Sequence, residues 1–138
     1  MNSYYSIRFI IVGMVMFLCL IHPSFASAEK SYKIAMITWR GETEAERGFI
    51  DELGKSNCSV AFKKYHAHQN RRKLQKIIDS IQRTYVDLIY VFGTTATKIV
   101  LSRIKDKPII FNIVSRPVRS GIIASWESSE SNATGASN

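Results

Sequence analysis

Four short apolar runs, set apart by stretches with helical spacing, constrain this chain more than any other feature. KIAMITW (Lys33 to Trp39), VDLIYVF (Val86 to Phe92) and PIIFNIV (Pro108 to Val114) are apolar almost without interruption. Such runs suit central strands of a parallel sheet, which are covered on both faces. CSVAFKKY (Cys58 to Tyr65) alternates instead and ends in lysines, the pattern of an edge strand, with Cys58 as a half-buried strand residue.

Three helices are expected between the runs. The first opens at Thr43 with Glu46 three residues on, a capping box. It puts Ala45, Phe49, Ile50 and Leu53 on one face, and Gly54 ends it. The second starts near Asn70 and carries Leu74, Ile77, Ile78 and Ile81 at spacings of three and four. The third begins at Thr94 or Thr95 and buries Ala96, Ile99, Val100 and Ile104. The order β-α-β-α-β-α-β specifies an α/β protein, a three-layer α/β/α sandwich with right-handed crossovers. With the edge-like strand outside the first, the doubly wound parallel sheet has the order 2-1-3-4, and its switch point lies between strands one and three. Ligands of such sheets bind beyond the carboxyl ends of the strands. The turns of interest are therefore TWRGET, FGTTA and VSRPV.

The chain begins with a secretory signal. Arg8 precedes the apolar run FIIVGMVMFLCLI, and the small-x-small pair Ala26 and Ala28 supplies a peptidase site after Ala28. The apolar core is too short for a membrane span of about twenty residues. Cys19 lacks the small residue expected before a lipidated cysteine. Residues 1–28 are thus read as a signal peptide of an exported, periplasmic or cell-surface protein. The mature part holds about 110 residues, enough for one compact domain. Residues 29–119 form that domain. The tail from Ser120, rich in Ser, Gly and Asn, reads as a connection or a frayed end. Its Asn132-Ala133-Thr134 and the earlier Asn57-Cys58-Ser59 match glycosylation sequons, a weak pattern outside a eukaryotic secretory pathway.

The net charge is +8, so nucleic acid, an anionic surface and an anionic ligand all need weighing. The basic residues gather in KKYHAHQNRRKLQK (Lys63 to Lys76) without the interleaved aromatics of a stacking surface. The run reads as a solvated helix face, and no nucleic-acid partner is expected.

Catalysis has no positive support. FGTTATK lacks a lysine where a phosphate loop needs one, and Arg40-Gly41-Glu42 has one glycine where a dinucleotide fingerprint has three. Carboxylates for phosphoryl transfer are absent from the ends of strands one and three. TWRGET partly matches a flavin phosphate loop, with Arg40 in place of a hydroxyl residue. His66 and His68 have no third ligand near them in sequence and read as solvated loop residues. Ser115 precedes Arg116-Pro117 rather than a nucleophile elbow. No enzyme activity, cofactor or metal is expected.

Binding has support from side chains and backbone together. Thr94 and Thr95 bring hydroxyls and free N–H groups to a helix start, Trp39 an aromatic wall, and Ser115 and Arg116 partners for an anion. The plainer roles, Thr95 as an N-cap and Trp39 as a core edge, stand beside these.

In order and spacing, KIAMITW, ERGFIDELGKSN, VDLIYVFGTTATKIV, KPIIFNIVSRPVRSGII and NATGASN resemble a known family. It is that of the exported substrate-binding proteins of ABC transporters, with type I periplasmic-binding architecture, related to proposed tryptophan/tyrosine binders. The likeness spans about Lys33 to Asn138. It implies two lobes that close on a small ligand, such as an amino acid, and deliver it to a membrane permease. It assigns ligand contacts to Thr38 and Trp39, to Gly93, Thr94 and Thr95, and to Ser115 and Arg116. Where the family carries Asp-Pro-Val this chain has Arg116-Pro117-Val118. The closing Thr-Gly stretch resembles the start of the crossing between lobes, so the chain reads as the N-terminal lobe, with a second lobe or partner chain to complete the clamp. A sensory module that reports to a signalling partner such as a histidine kinase is the alternative use of the same architecture.

Overall fold

A computed structural model describes residues 30–138. The expected signal peptide, its cleavage point and Cys19 lie outside the described residues. Strands and helices alternate as β1 (Tyr32–Thr38), α1 (Glu44–Lys55), β2 (Val60–His66), α2 (Arg71–Gln82), β3 (Leu88–Phe92), α3 (Thr94–Arg103) and β4 (Ile109–Val114), followed by β5 (Ala133–Ser137). The sheet order is β2-β1-β3-β4-β5, and every pairing is parallel. The first four strands stand in the order read from the sequence, with β2 at the edge.

Central strands are apolar on both faces because helices cover both. Along β1, Ala35 and Ile37 face α2 and α3, where Leu74, Ile78, Ile81, Ala96, Val100 and Ile104 are fully buried. Ile34 and Met36 face α1 together with Tyr90 of β3. There Phe49 stacks on the Tyr90 ring at 4.6 Å and meets Phe62 edge-on at 6.3 Å. Each buried Ile or Leu stabilises the fold by about 1.5–3 kcal/mol. The layer under α2 and α3 holds most of them and so dominates the packing energy. Surface ion pairs, such as Arg103–Asp79 at 2.9 Å between α3 and α2, add less than about 1 kcal/mol.

The helix starts differ in a way that matters for the site. Thr43 caps α1 in the capping box read from the sequence, and Asn70 caps α2 by accepting from the Lys73 N–H at 3.0 Å. α3 is capped by neither threonine: its N-cap is Gly93, at φ 87°, which has no side chain to offer. A glycine tolerates that backbone where other residues would be strained.

Several expectations are corrected. Gly54 lies inside α1, which continues to Lys55 with Ser56 as cap. Cys58 is exposed and precedes β2, so it is not a half-buried strand residue. His66 is the last residue of β2 rather than a loop residue. The basic run is solvated, but only its second half is helical; its first half is the outer strand β2.

The tail, expected to be a connection or a frayed end, supplies β5 and buries Ile122 and Ala133 in the main core. Asn132 anchors the strand: its amide Nδ2 donates to the carbonyls of Ile104 at 3.2 Å and Lys107 at 2.6 Å. The register runs Ile109↔Ala133 and Phe111↔Gly135, then Val114↔Ser137. Three steps on β4 thus oppose two on β5, which is a β-bulge in β4. Gly135 is required by proximity, since a Cβ there would lie 2.0 Å from the Phe111 carbonyl oxygen. Gly135→Ala should therefore push β5 off β4 and cost about 1–3 kcal/mol in chemical denaturation. Unchanged stability would show that β5 contributes nothing to the fold.

Candidate functional site

Because the strands are parallel, the ends of β1, β3 and β4 open on the same side, and a cleft of about 350 Å³ lies there. Trp39 and Arg40 follow β1, Phe92 and Gly93 close β3, and Thr94 and Thr95 begin α3. Ile113, Ser115 and Asn138 line the rest. Two other hollows lie away from these strand ends. One is beside Trp126, and the other, about 550 Å³, sits at the amino ends of β3 to β5 against Pro108 and Ile110.

The cleft gathers five of the seven residues read from the sequence: Trp39, Gly93, Thr94, Thr95 and Ser115. Thr38 is not among its lining. It is fully buried at the end of β1, and its Oγ1 is 2.7 Å from Nδ1 of His66, its register partner on β2. Arg116 is not among the lining either: it is exposed in a turn at φ 48°, and its carbonyl accepts from the Ser120 N–H and hydroxyl.

The two threonines do different work. Thr94 Oγ1 accepts from the Ser115 N–H at 3.0 Å and so ties the start of α3 to the loop after β4. Ser115 in turn donates to Asn138 Oδ1 at 3.0 Å. Thr95 makes no side-chain hydrogen bond among the described residues and lines the cleft. With glycine at the N-cap, the first-turn N–H groups of α3 have no side-chain acceptor. The positive end of the helix dipole therefore faces the cleft. Arg40 adds a full positive charge with no ion pair among the described residues, and no Asp or Glu side chain lines the cleft. Trp39 is half-buried: it packs against the main core and also lines the cleft.

A buried polar chain braces the β4 side. Glu46 of α1 is fully buried and accepts from the Thr43 N–H and hydroxyl, each at 2.7 Å, and from the Tyr90 hydroxyl at 3.1 Å. The Tyr90 oxygen accepts in turn from Asn112 Nδ2 at 3.0 Å. Asn112 thus carries the chain from α1 through β3 to the strand end at the cleft.

Arg40, Phe92, Ile113 and Asn138 escaped the sequence reading. Arg40 stood beside Trp39 in a turn already singled out, and its charge was a usable signal. Phe92 and Ile113 belong to runs that read as continuous core, and nothing in the sequence marks the bulge that exposes Ile113. Among the described residues no group of three His, Cys, Asp or Glu could hold a metal, and no helix is long and apolar enough to cross a membrane.

Residues 34–138 match the family model described as ABC transporter substrate binding protein. The chain belongs to this non-enzymatic, substrate-binding family. No curated protein matches it by sequence. Among solved structures it is similar to an ABC domain from Streptococcus pneumonia in complex with L-Trp, at 19% identity and TM-score 0.70, covering 78% of this chain and 39% of that one. A conserved domain protein from Vibrio cholerae gives 22% identity and TM-score 0.71, with 79% and 39% covered. The ligand-free, open form of a Clostridium difficile substrate-binding protein with adhesive properties gives 24%, 0.68, 78% and 39%. These likenesses support the α/β fold, and the chain spans about two fifths of the length of each neighbour.

Burial pushes the Tyr90 hydroxyl up to about 12, with the Glu46 charge acting in the same direction and the Asn112 hydrogen bond against it. An unfolded tyrosine titrates near 10, so Tyr90 contributes constant stability below pH ~10 that is lost as pH rises to ~12. The loss amounts to about 3 kcal/mol. Denaturation curves of wild type and Tyr90→Phe should converge over that window; parallel curves would refute the buried, protonated hydroxyl.

Proposed function

We propose that the protein binds a small solute reversibly at this cleft, as one lobe of the solute-binding component of an ABC importer. The observation that carries the reading is the pairing, at one set of strand ends, of a cationic pole with an apolar wall. Arg40, Thr95 and the uncapped start of α3 form the pole; Trp39 and Phe92 form the wall. This suits a ligand with an anionic group and an apolar body, such as an amino acid with a large side chain. The L-Trp held by the Streptococcus neighbour has that chemistry. The cleft is open on one side, so a second lobe or partner chain would enclose the ligand, and β5 runs out to the cleft at Asn138. Export and delivery to a membrane permease complete the proposal. The sensory alternative uses the same cleft and differs only in the partner that reads it.

Calorimetric titration tests the reading with L-tryptophan and with tryptamine, which lacks the carboxylate. L-tryptophan should bind saturably and tryptamine should not. Arg40→Gln and Thr95→Val should each weaken L-tryptophan by about tenfold, the worth of one charge-assisted hydrogen bond. Thr95 is the better choice than Thr94, whose hydroxyl already holds Ser115. Equal binding of the two compounds, or no effect of either substitution, would overturn the reading.

A further inference from the structure

The bulge in β4 has an effect that packing does not explain. Ile109 and Phe111 point into the main core, while Asn112 lies on the opposite face beside Tyr90. Regular alternation would next send Ile113 into the core and Val114 out. The extra residue reverses this: Val114 is fully buried, and Ile113 is 38% exposed and lines the cleft.

Ile113 also stands at φ 51°, in the left-handed region. For a β-branched residue this is a true outlier, whereas glycine or asparagine would sit there with little strain. The side chain belongs to neither core cluster, so core packing does not account for the strain. The backbone is held in place around it: the Ile113 N–H donates to Asn112 Oδ1 at 2.9 Å, and the Asn112 amide is fixed by Tyr90 and, through it, Glu46. Strain that is retained at a cleft, and held from several sides, points to use.

We infer that Ile113 is a specificity-determining residue of the cleft, set by the β4 bulge to meet the apolar body of the ligand alongside Trp39 and Phe92. The inference rests on the cleft reading above, and adds to it that discrimination among ligands by apolar bulk depends on this side chain. Asn112 is the positioning residue that holds the bulge.

The test is Ile113→Gly, which removes the side chain and suits the backbone. Without ligand, the variant should melt at a higher temperature than wild type. By calorimetry, wild type should prefer L-tryptophan over L-alanine, and the variant should lose about tenfold of that preference, as expected for apolar contacts in a pocket. A variant that keeps the full preference while wild type binds would overturn this inference alone. A wild-type protein that binds neither compound would sink the cleft reading, and this inference with it.

Discussion

All five strands run in the same direction, and the rest of the structure follows from that constraint. Parallel neighbours need crossovers: the three between β1 and β4 are helices that lie on the sheet and bury it from both sides, and the fourth, residues 115–132 before β5, is irregular chain. The same geometry brings the ends of β1, β3 and β4 to one edge of the molecule. A cleft therefore forms where the apolar layers stop, from the turns that lead out of the strands. The orientation of α3, with its N-terminus at the cleft, is the same constraint seen from the helix.

The buried Glu46–Tyr90–Asn112 chain gives the thinner side of the sheet a different kind of order. The layer over α2 and α3 is held by many aliphatic contacts that specify little individually. Under α1, a carboxylate without water must be met by donors, and it is met by Thr43 and Tyr90. Those directional contacts fix the rotation of α1 and the end of β4 together. One capping residue near the start of α1 is thus coupled through the sheet to the edge of the cleft.

Much of this was legible in the sequence, for reasons that differ by element. Continuous apolar runs announced β1, β3 and β4, and alternation with lysines announced the edge strand β2. The capping box at Thr43 and the stripe from Leu74 to Ile81 announced α1 and α2. β5 gave no such signal, because Ala133 is its one buried side chain and its place depends on Gly135 letting two backbones approach. At the site, the turns were found because the topology dictates them. Which side chains enter the cleft was not dictated: Thr38 turns its hydroxyl to His66, and a single inserted residue in β4 decides the fate of Ile113. Pairwise hydrogen bonds and bulges leave no period in a sequence.

The uncapped start of α3 has a consequence for how such a protein changes over time. Its anion-attracting groups are backbone N–H groups, which every residue but proline supplies, while Arg40 and Thr95 stand outside both apolar layers. Variation at those two positions leaves the packing that keeps the chain folded untouched. Under the proposed function, the scaffold keeps its attraction for negative charge while the choice of solute drifts at these two positions. Evolvability of that kind is a property of where the strands end, not of any one residue.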